Sequence, residues 1–125
     1  MRDIKFRAWK KTDTPEMFTN ITSVDFKERV IGIDFPISKQ TVRADVESLD
    51  NIVLMQYTGM KDVKGVEIYE GDILQSKHYF RYQVVFKGDC WRCESLKNNR
   101  FKNRFIGRDL KVIGNIYENP ELLED

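Results

Sequence analysis

Between Leu54 and Ile73 the chain places three of its seven glycines, and the apolar residues among them fall in short, β-favouring runs. Ile52 to Tyr57 reads as a strand that stops at Thr58-Gly59. Asp62-Val63-Lys64-Gly65 has Asp and Gly where a four-residue reversal needs them. Val66 to Tyr69 extends again, and Glu70-Gly71-Asp72 turns the chain into a strand at Ile73-Leu74. Gly59, Gly65, Gly71 and Asp72 are thus the expected turn residues, with Gly71 at a positive φ that other residues enter at a cost. Punctuation at this spacing leaves no room for a long helix. It builds a frame of short strands, and no residue in it announces a reaction.

The flanking segments read the same way. Ile4, Phe6 and Ala8 alternate with Lys5, Arg7 and Trp9, the period of a half-buried strand, until Thr12-Asp13-Thr14-Pro15 breaks it. Val24 to Phe35 suggests a hairpin around Lys27-Glu28-Arg29, without the Asn-Gly or Asp-Gly that marks a tight turn. Residues 36–51 are the least readable: the spacing of Val42, Val46 and Leu49 suits a short helix, and an irregular connection is the alternative. Tyr79 to Phe86 and Cys90 to Leu96 form a second hairpin about Lys87-Gly88-Asp89, followed by a long loop from Asn98. Leu110 starts a final strand running through Ile116-Tyr117, and Asn119-Pro120 reads as the start of a short helix. Many short strands with little helix argue for a mainly β fold, a small barrel or sandwich. A Gly-Asp pair opening a strand also occurs in SH3-like barrels. The expected architecture is one domain over residues 1–125, a partly open SH3-like barrel over about 52–118, with N-terminal strands over 3–35 beside it.

Four blocks carry a family resemblance. LMQYTGMKD at 54–62, KGVEIYEGDIL at 64–74 and VIGNIYENPELL at 112–123 resemble the signature blocks of the YopX-like family, in the expected order, and the opening MRDIKFRAW resembles that family's usual start, MREIKFRAW. The blocks cover about a third of the chain; residues 10–50 and 75–110 match none of them. The resemblance implies a mainly β fold and a phage or prophage origin. It carries no accepted enzymatic activity.

With 125 residues, 41% hydrophobic and 33% charged, the chain has the make-up of an ordinary soluble domain. No apolar run approaches the ~20 residues that cross a bilayer as a helix. No apolar signal core follows the basic N-terminus, so the cytoplasm of a bacterial host is the expected location. A net charge of +1 hides segregation: residues 12–75 carry six basic and twelve acidic side chains, residues 76–117 ten basic and three acidic. Such segments can neutralise each other within one fold, drive subunits together or face an anionic partner.

Three constellations could carry chemistry. Cys90-Trp91-Arg92-Cys93 has redox or zinc-ligand spacing, but in a strand residues three apart point to opposite faces. No second C-x-x-C exists, and the single histidine, His78, belongs to another element. The structural reading, one cysteine buried and one partly exposed, is preferred. Asp62, Glu67, Glu70 and Asp72 could hold Mg²⁺, although acids at turns more often cap backbone N–H groups. Lastly, Lys97, Arg100, Lys102, Arg104 and Arg108 interleave with Phe101 and Phe105, a pattern in which cations track phosphates while rings stack on bases. The competing reading makes that segment a solvated loop anchored to the core by its two phenylalanines.

The expected function is that of a small binding protein without catalytic, metal or cofactor sites, either a self-associating homo-oligomer or a module that engages a host or phage protein. A nucleic-acid-binding barrel using residues 97–111 is the alternative. No membrane partner is expected.

Overall fold

The computed structural model describes residues 3–96 and 103–123. The fold is mainly β with a curled, half-barrel sheet, as the punctuated sequence predicts. Helical structure among the described residues is limited to two 3-10 turns, Leu49–Asn51 and Pro120–Leu123, so the C-terminal helix is a single turn. The chain forms two compact units, one of Lys5–Met55 and one of Met1–Ile4 with Gln56–Asp125.

The first unit contains β1 (Phe6–Lys10), β2 (Met17–Phe18), β3 (Ile21–Asp25), β4 (Val30–Pro36) and β5 (Val42–Ser48). β3, β4 and β5 form an antiparallel meander in that order. The β3–β4 reversal lacks Asn-Gly because Asp25 does the work: its Oδ1 accepts the N–H groups of Lys27 and Glu28, and Arg29 takes φ 58°. Ile31 and Ile33 of β4 pack with Ala8, Phe18 and Ile52 in this unit's core. The expected alternation in β1 is imperfect, since Arg7 and Ala8 are both buried and Ile4 is exposed.

The largest departure from expectation lies at residues 36–51. Val42, Val46 and Leu49 sit at helical spacing, yet residues 42–48 form β5, paired without interruption to β4 from Pro36↔Val42 to Val30↔Ser48. The same Val42-x-Ala44-x-Val46 residues also satisfy a period of two, and a seven-residue ladder outweighs a helix too short to stand alone. Leu49 belongs to the 3-10 turn that follows.

The second unit is built on β6 (Ile52–Lys61, whose first residues belong to the first unit), β7 (Glu67–Tyr69), β8 (Asp72–Gln75), β9 (Arg81–Lys87), β10 (Cys90–Ser95) and β11 (Lys111–Asn115). β6 does not stop at Thr58-Gly59. It continues to Lys61 through a register shift against β7, with Gly59 at φ 87° taking up the bulge. β10, β9, β8 and β11 form an antiparallel sheet in that order, and Ile68, Leu74, Tyr82, Val84, Cys93, Ile106 and Leu110 fill its core. β11 ends at Asn115, short of Ile116-Tyr117, because the Asn115 side-chain oxygen accepts the N–H groups of Tyr117 and Glu118 and turns the chain.

Candidate functional site

Among the described residues β5 is an edge strand with one neighbour, β4. Just outside the ladder, the Leu49 N–H donates to the Arg29 carbonyl at one end and the Ile37 N–H to the Thr41 carbonyl at the other, each 2.9 Å. Bonded pairs alternate along an antiparallel ladder, so Arg43, Asp45 and Glu47 turn their backbone groups toward β4. Val42, Ala44 and Val46 turn theirs outward, to the open edge.

The side chains divide by the same parity. Val42 and Val46 are 54% and 69% exposed, and Ala44 between them is exposed as well. The register sets these three beside Pro36, Asp34 and Gly32 of β4, so the outer face carries mostly small or apolar residues. On the opposite face Arg43 and Asp45 meet at 3.3 Å, with the Arg43 guanidinium 4.6 Å from the centre of the Phe35 ring. Neither charge is buried. Sequence reasoning missed this edge because Val42 and Val46, four apart, are also a helical pair; the alternation of apolar and charged residues over 42–47 was the available signal.

The basic segment is only partly described: Lys97, Arg100, Phe101 and Lys102 lie outside the described residues. Arg104 forms an antiparallel bridge with Cys93, and its guanidinium grips both carboxylate oxygens of Asp109, at 2.8 and 3.1 Å. The Asp109 hydrogen bond holds the Arg104 pKa above its ordinary value, and the Arg104 contact holds that of Asp109 below its own. The predicted core anchor fails at Phe105, which is 67% exposed and has the Arg92 guanidinium 5.5 Å from the centre of its ring. Tyr82 is buried beneath Arg104, and half-buried Trp91 packs edge-on against Phe86. Arg108 lines a cleft of about 420 Å³ with Gly59, Met60, Lys61, Asp62 and Val63.

The other two constellations are built into the fold. Buried Asp62 accepts the N–H groups of Lys64 and Val66 on Oδ1 and of Val112 on Oδ2, all at 2.8 Å. Burial pushes its carboxyl up, but those three donors and the Lys111 charge outweigh it and leave the pKa below the ordinary value. Asp72, also buried, accepts the Tyr69 N–H at 2.8 Å across the turn at Gly71. Gly65 and Gly71 take φ values of 82° and 87° at the reversals where they were expected, whereas Gly59, at φ 87°, lies inside β6 at the register shift and ends no strand. Among the described residues no three His, Cys, Asp or Glu side chains come together as a metal site would need.

Cys93 is buried and Cys90 half-exposed, as strand geometry predicts, and they are not bonded to each other. Burial pushes the Cys93 thiol up to about 12, so it is protonated at neutral pH, the reverse of what an attacking thiol needs. No helix among the described residues is long and apolar enough to cross a membrane.

Comparison with known proteins agrees with the blocks noted in the sequence. No curated protein matches the chain. The crystal structure of protein EF1440 from Enterococcus faecalis is similar, with 29% identity, a TM-score of 0.69, and 99% of this chain and 100% of that one covered. A family model described as YopX protein matches residues 5–124. With a match across nearly its whole length, the chain belongs to the YopX family.

Proposed function

We propose that this is a phage- or prophage-encoded binding protein without catalytic activity, which works in the cytoplasm of a bacterial host by associating with a second copy of itself. The observation that carries the reading is the open edge of β5, where a regular strand presents outward-turned backbone groups beneath exposed Val42, Ala44 and Val46. Soluble proteins blunt such edges with charge, proline or a covering segment, because an open one templates strand addition. On β5 the charges Arg43, Asp45 and Glu47 lie on the opposite face, and the outer row of Val42, Ala44 and Val46 is apolar and exposed. A second copy supplies a strand of matching length, and two-fold pairing is the commonest way chains cover such a surface. The non-catalytic part is supported by the acids, since Asp62 and Asp72 use their carboxylates on backbone N–H groups.

Sedimentation across a concentration series tests the reading. A mass that rises with concentration, and falls to that of one chain in Val46→Lys, is the expected result. A single-chain mass at every concentration would leave the edge to a different protein and defeat the self-association reading.

A second reading has one specific support. Exposed Phe105 with Arg92 over its ring forms a stacking platform, and in sequence it belongs to the basic segment 97–111. Arg104 is a poor member of that set because Asp109 occupies its guanidinium. Retention of single-stranded DNA or RNA that weakens steeply with salt and is lost in Phe105→Ala would favour this reading.

A further inference from the structure

We infer that β5 pairs antiparallel with the β5 of a second copy in one register, with Ala44 opposite the partner's Ala44. The inference rests on the self-association reading and goes beyond it by fixing the contact residue by residue. Around Ala44 the strand reads Val42-Arg43-Ala44-Asp45-Val46. When it is laid against its own two-fold copy about Ala44, Val42 faces the partner's Val46 and Val46 faces the partner's Val42. On the other face Arg43 meets the partner's Asp45, and Asp45 meets the partner's Arg43. The apolar row therefore continues across the axis while two opposite-charge pairs form beneath it.

Backbone parity agrees with this register. Val42, Ala44 and Val46 carry the outward N–H and C=O groups, so bonded pairs across the axis must join these positions to one another. Only registers displaced by two residues preserve that parity. A shift one way sets Arg43 against the partner's Arg43, and a shift the other way sets Asp45 against the partner's Asp45. Each neighbour thus places like charges face to face on the axis, whereas the register about Ala44 has none. Arg43 and Asp45 already lie 3.3 Å apart within one strand, so a partner strand converts that pair into a four-charge cluster of alternating sign. The strand is straight enough for the purpose, because its ladder to β4 carries no register shift over all seven residues. The result joins two three-stranded meanders into one continuous sheet.

Charge reversal and cross-linking of the full chain test the register. Arg43→Asp alone and Asp45→Arg alone each put like charges together at both ends, and each should weaken dimerisation about tenfold or more. The double variant R43D/D45R restores both pairs and should recover dimerisation. Thermal melts at low protein concentration separate loss of pairing from loss of folding. With Cys90→Ser removing the half-exposed thiol, Ala44→Cys should link to its counterpart through a short bismaleimide, the two Cα atoms lying about 5.5 Å apart. Val42→Cys should not link to itself, because that separation is about 13 Å along the strand. A dimer indifferent to both reversals, or one that links through Val42→Cys and not Ala44→Cys, overturns the register but leaves self-association standing. A single-chain mass at every concentration overturns both.

Discussion

The carboxylate of Asp62 accepts the backbone N–H of Val112 at 2.8 Å, across 50 residues of chain. The same carboxylate closes its own turn by accepting from Lys64 and Val66, so one side chain fixes the β6–β7 reversal and seats β11 beside it. With only 7% of the residue exposed, water cannot replace those bonds.

Asp62→Ala should therefore destabilise the protein by about 3 kcal/mol, since it strands three donors that a charged acceptor now satisfies. Asp62→Asn, which keeps one carbonyl oxygen, should cost less, about 1–2 kcal/mol. The pH dependence follows from the lowered pKa. The native state binds this proton less readily than the unfolded chain, whose Asp titrates at about 3.9. The stabilisation is thus complete above about pH 4–5 and is lost as pH falls through the folded value. Melting temperatures of wild type and Asp62→Asn should converge in acid and separate toward neutrality. A constant gap across that range would assign the effect to packing.

Gly71 stands at φ 87° in the turn that Asp72 closes, with its N–H donating to the Val84 carbonyl and its carbonyl accepting from Ile116, both 3.0 Å. A Cβ at that φ strains the backbone, and the two tertiary bonds prevent relaxation. Gly71→Ala should cost about 1 kcal/mol or more in chemical denaturation, and an unchanged midpoint would show that the turn can flip.

Much of this frame was legible because its determinants are local. The Asp62 to Gly65 reversal, the Gly71 turn and the Lys87-Gly88-Asp89 hairpin depend on residues within each turn, where Gly and Asp act through their own backbone preferences. β5 was not legible because the same two valines serve both periodicities, and only the β4 ladder chooses between them. Phe105 escaped for a related reason. Its exposure follows from the Arg104–Cys93 bridge, which fixes the face presented at the next residue, and such a bridge leaves no trace in local sequence. The self-complementarity of Val42 to Val46 was present in the letters throughout, but without an open edge strand and a backbone parity it had no meaning.

Phe105→Ala should change stability by no more than about 1 kcal/mol, the worth of an exposed cation–π contact with Arg92. A core phenylalanine would cost about 3–5 kcal/mol, so one thermal melt distinguishes the two placements.

The cysteines should differ sharply toward a thiol reagent. Cys90 is half-exposed and should label in the folded protein, whereas Cys93 is buried with its thiol pushed up to about 12 and should label only on unfolding. One thiol titrated in buffer and two in denaturant is the expected count from mass measurement. Two fast-reacting thiols in buffer would contradict the placement of Cys93 in the core.

Gly114 lies just after the register shift in β11, and a Cβ there would come within 2.5 Å of the Asn119 side-chain oxygen and 2.8 Å of Leu122. Gly114→Ala should displace Asn119, which accepts the Asn115 N–H, and free the Pro120–Leu123 turn. Faster hydrogen exchange at Asn115 and Leu122, with the rest of β11 still protected, is the expected signature.

The position of β11 also has a consequence for time. The β3–β4–β5 meander joins neighbours in the chain, whereas β11 must return to β8, pairing Lys111 with Gln75, and to Asp62 beyond it. Contacts of long sequence separation form late because closing the loop costs entropy before any bond repays it. On a ribosome the lag is longer still, since β8 emerges well before its partner is synthesised. Until then the edge of β8 that β11 covers in the finished sheet, with Ile73 and Leu74, lacks its neighbour strand. Val112→Ala should accordingly hasten unfolding while leaving the refolding rate nearly unchanged, a low φ-value that stopped-flow measurement can check.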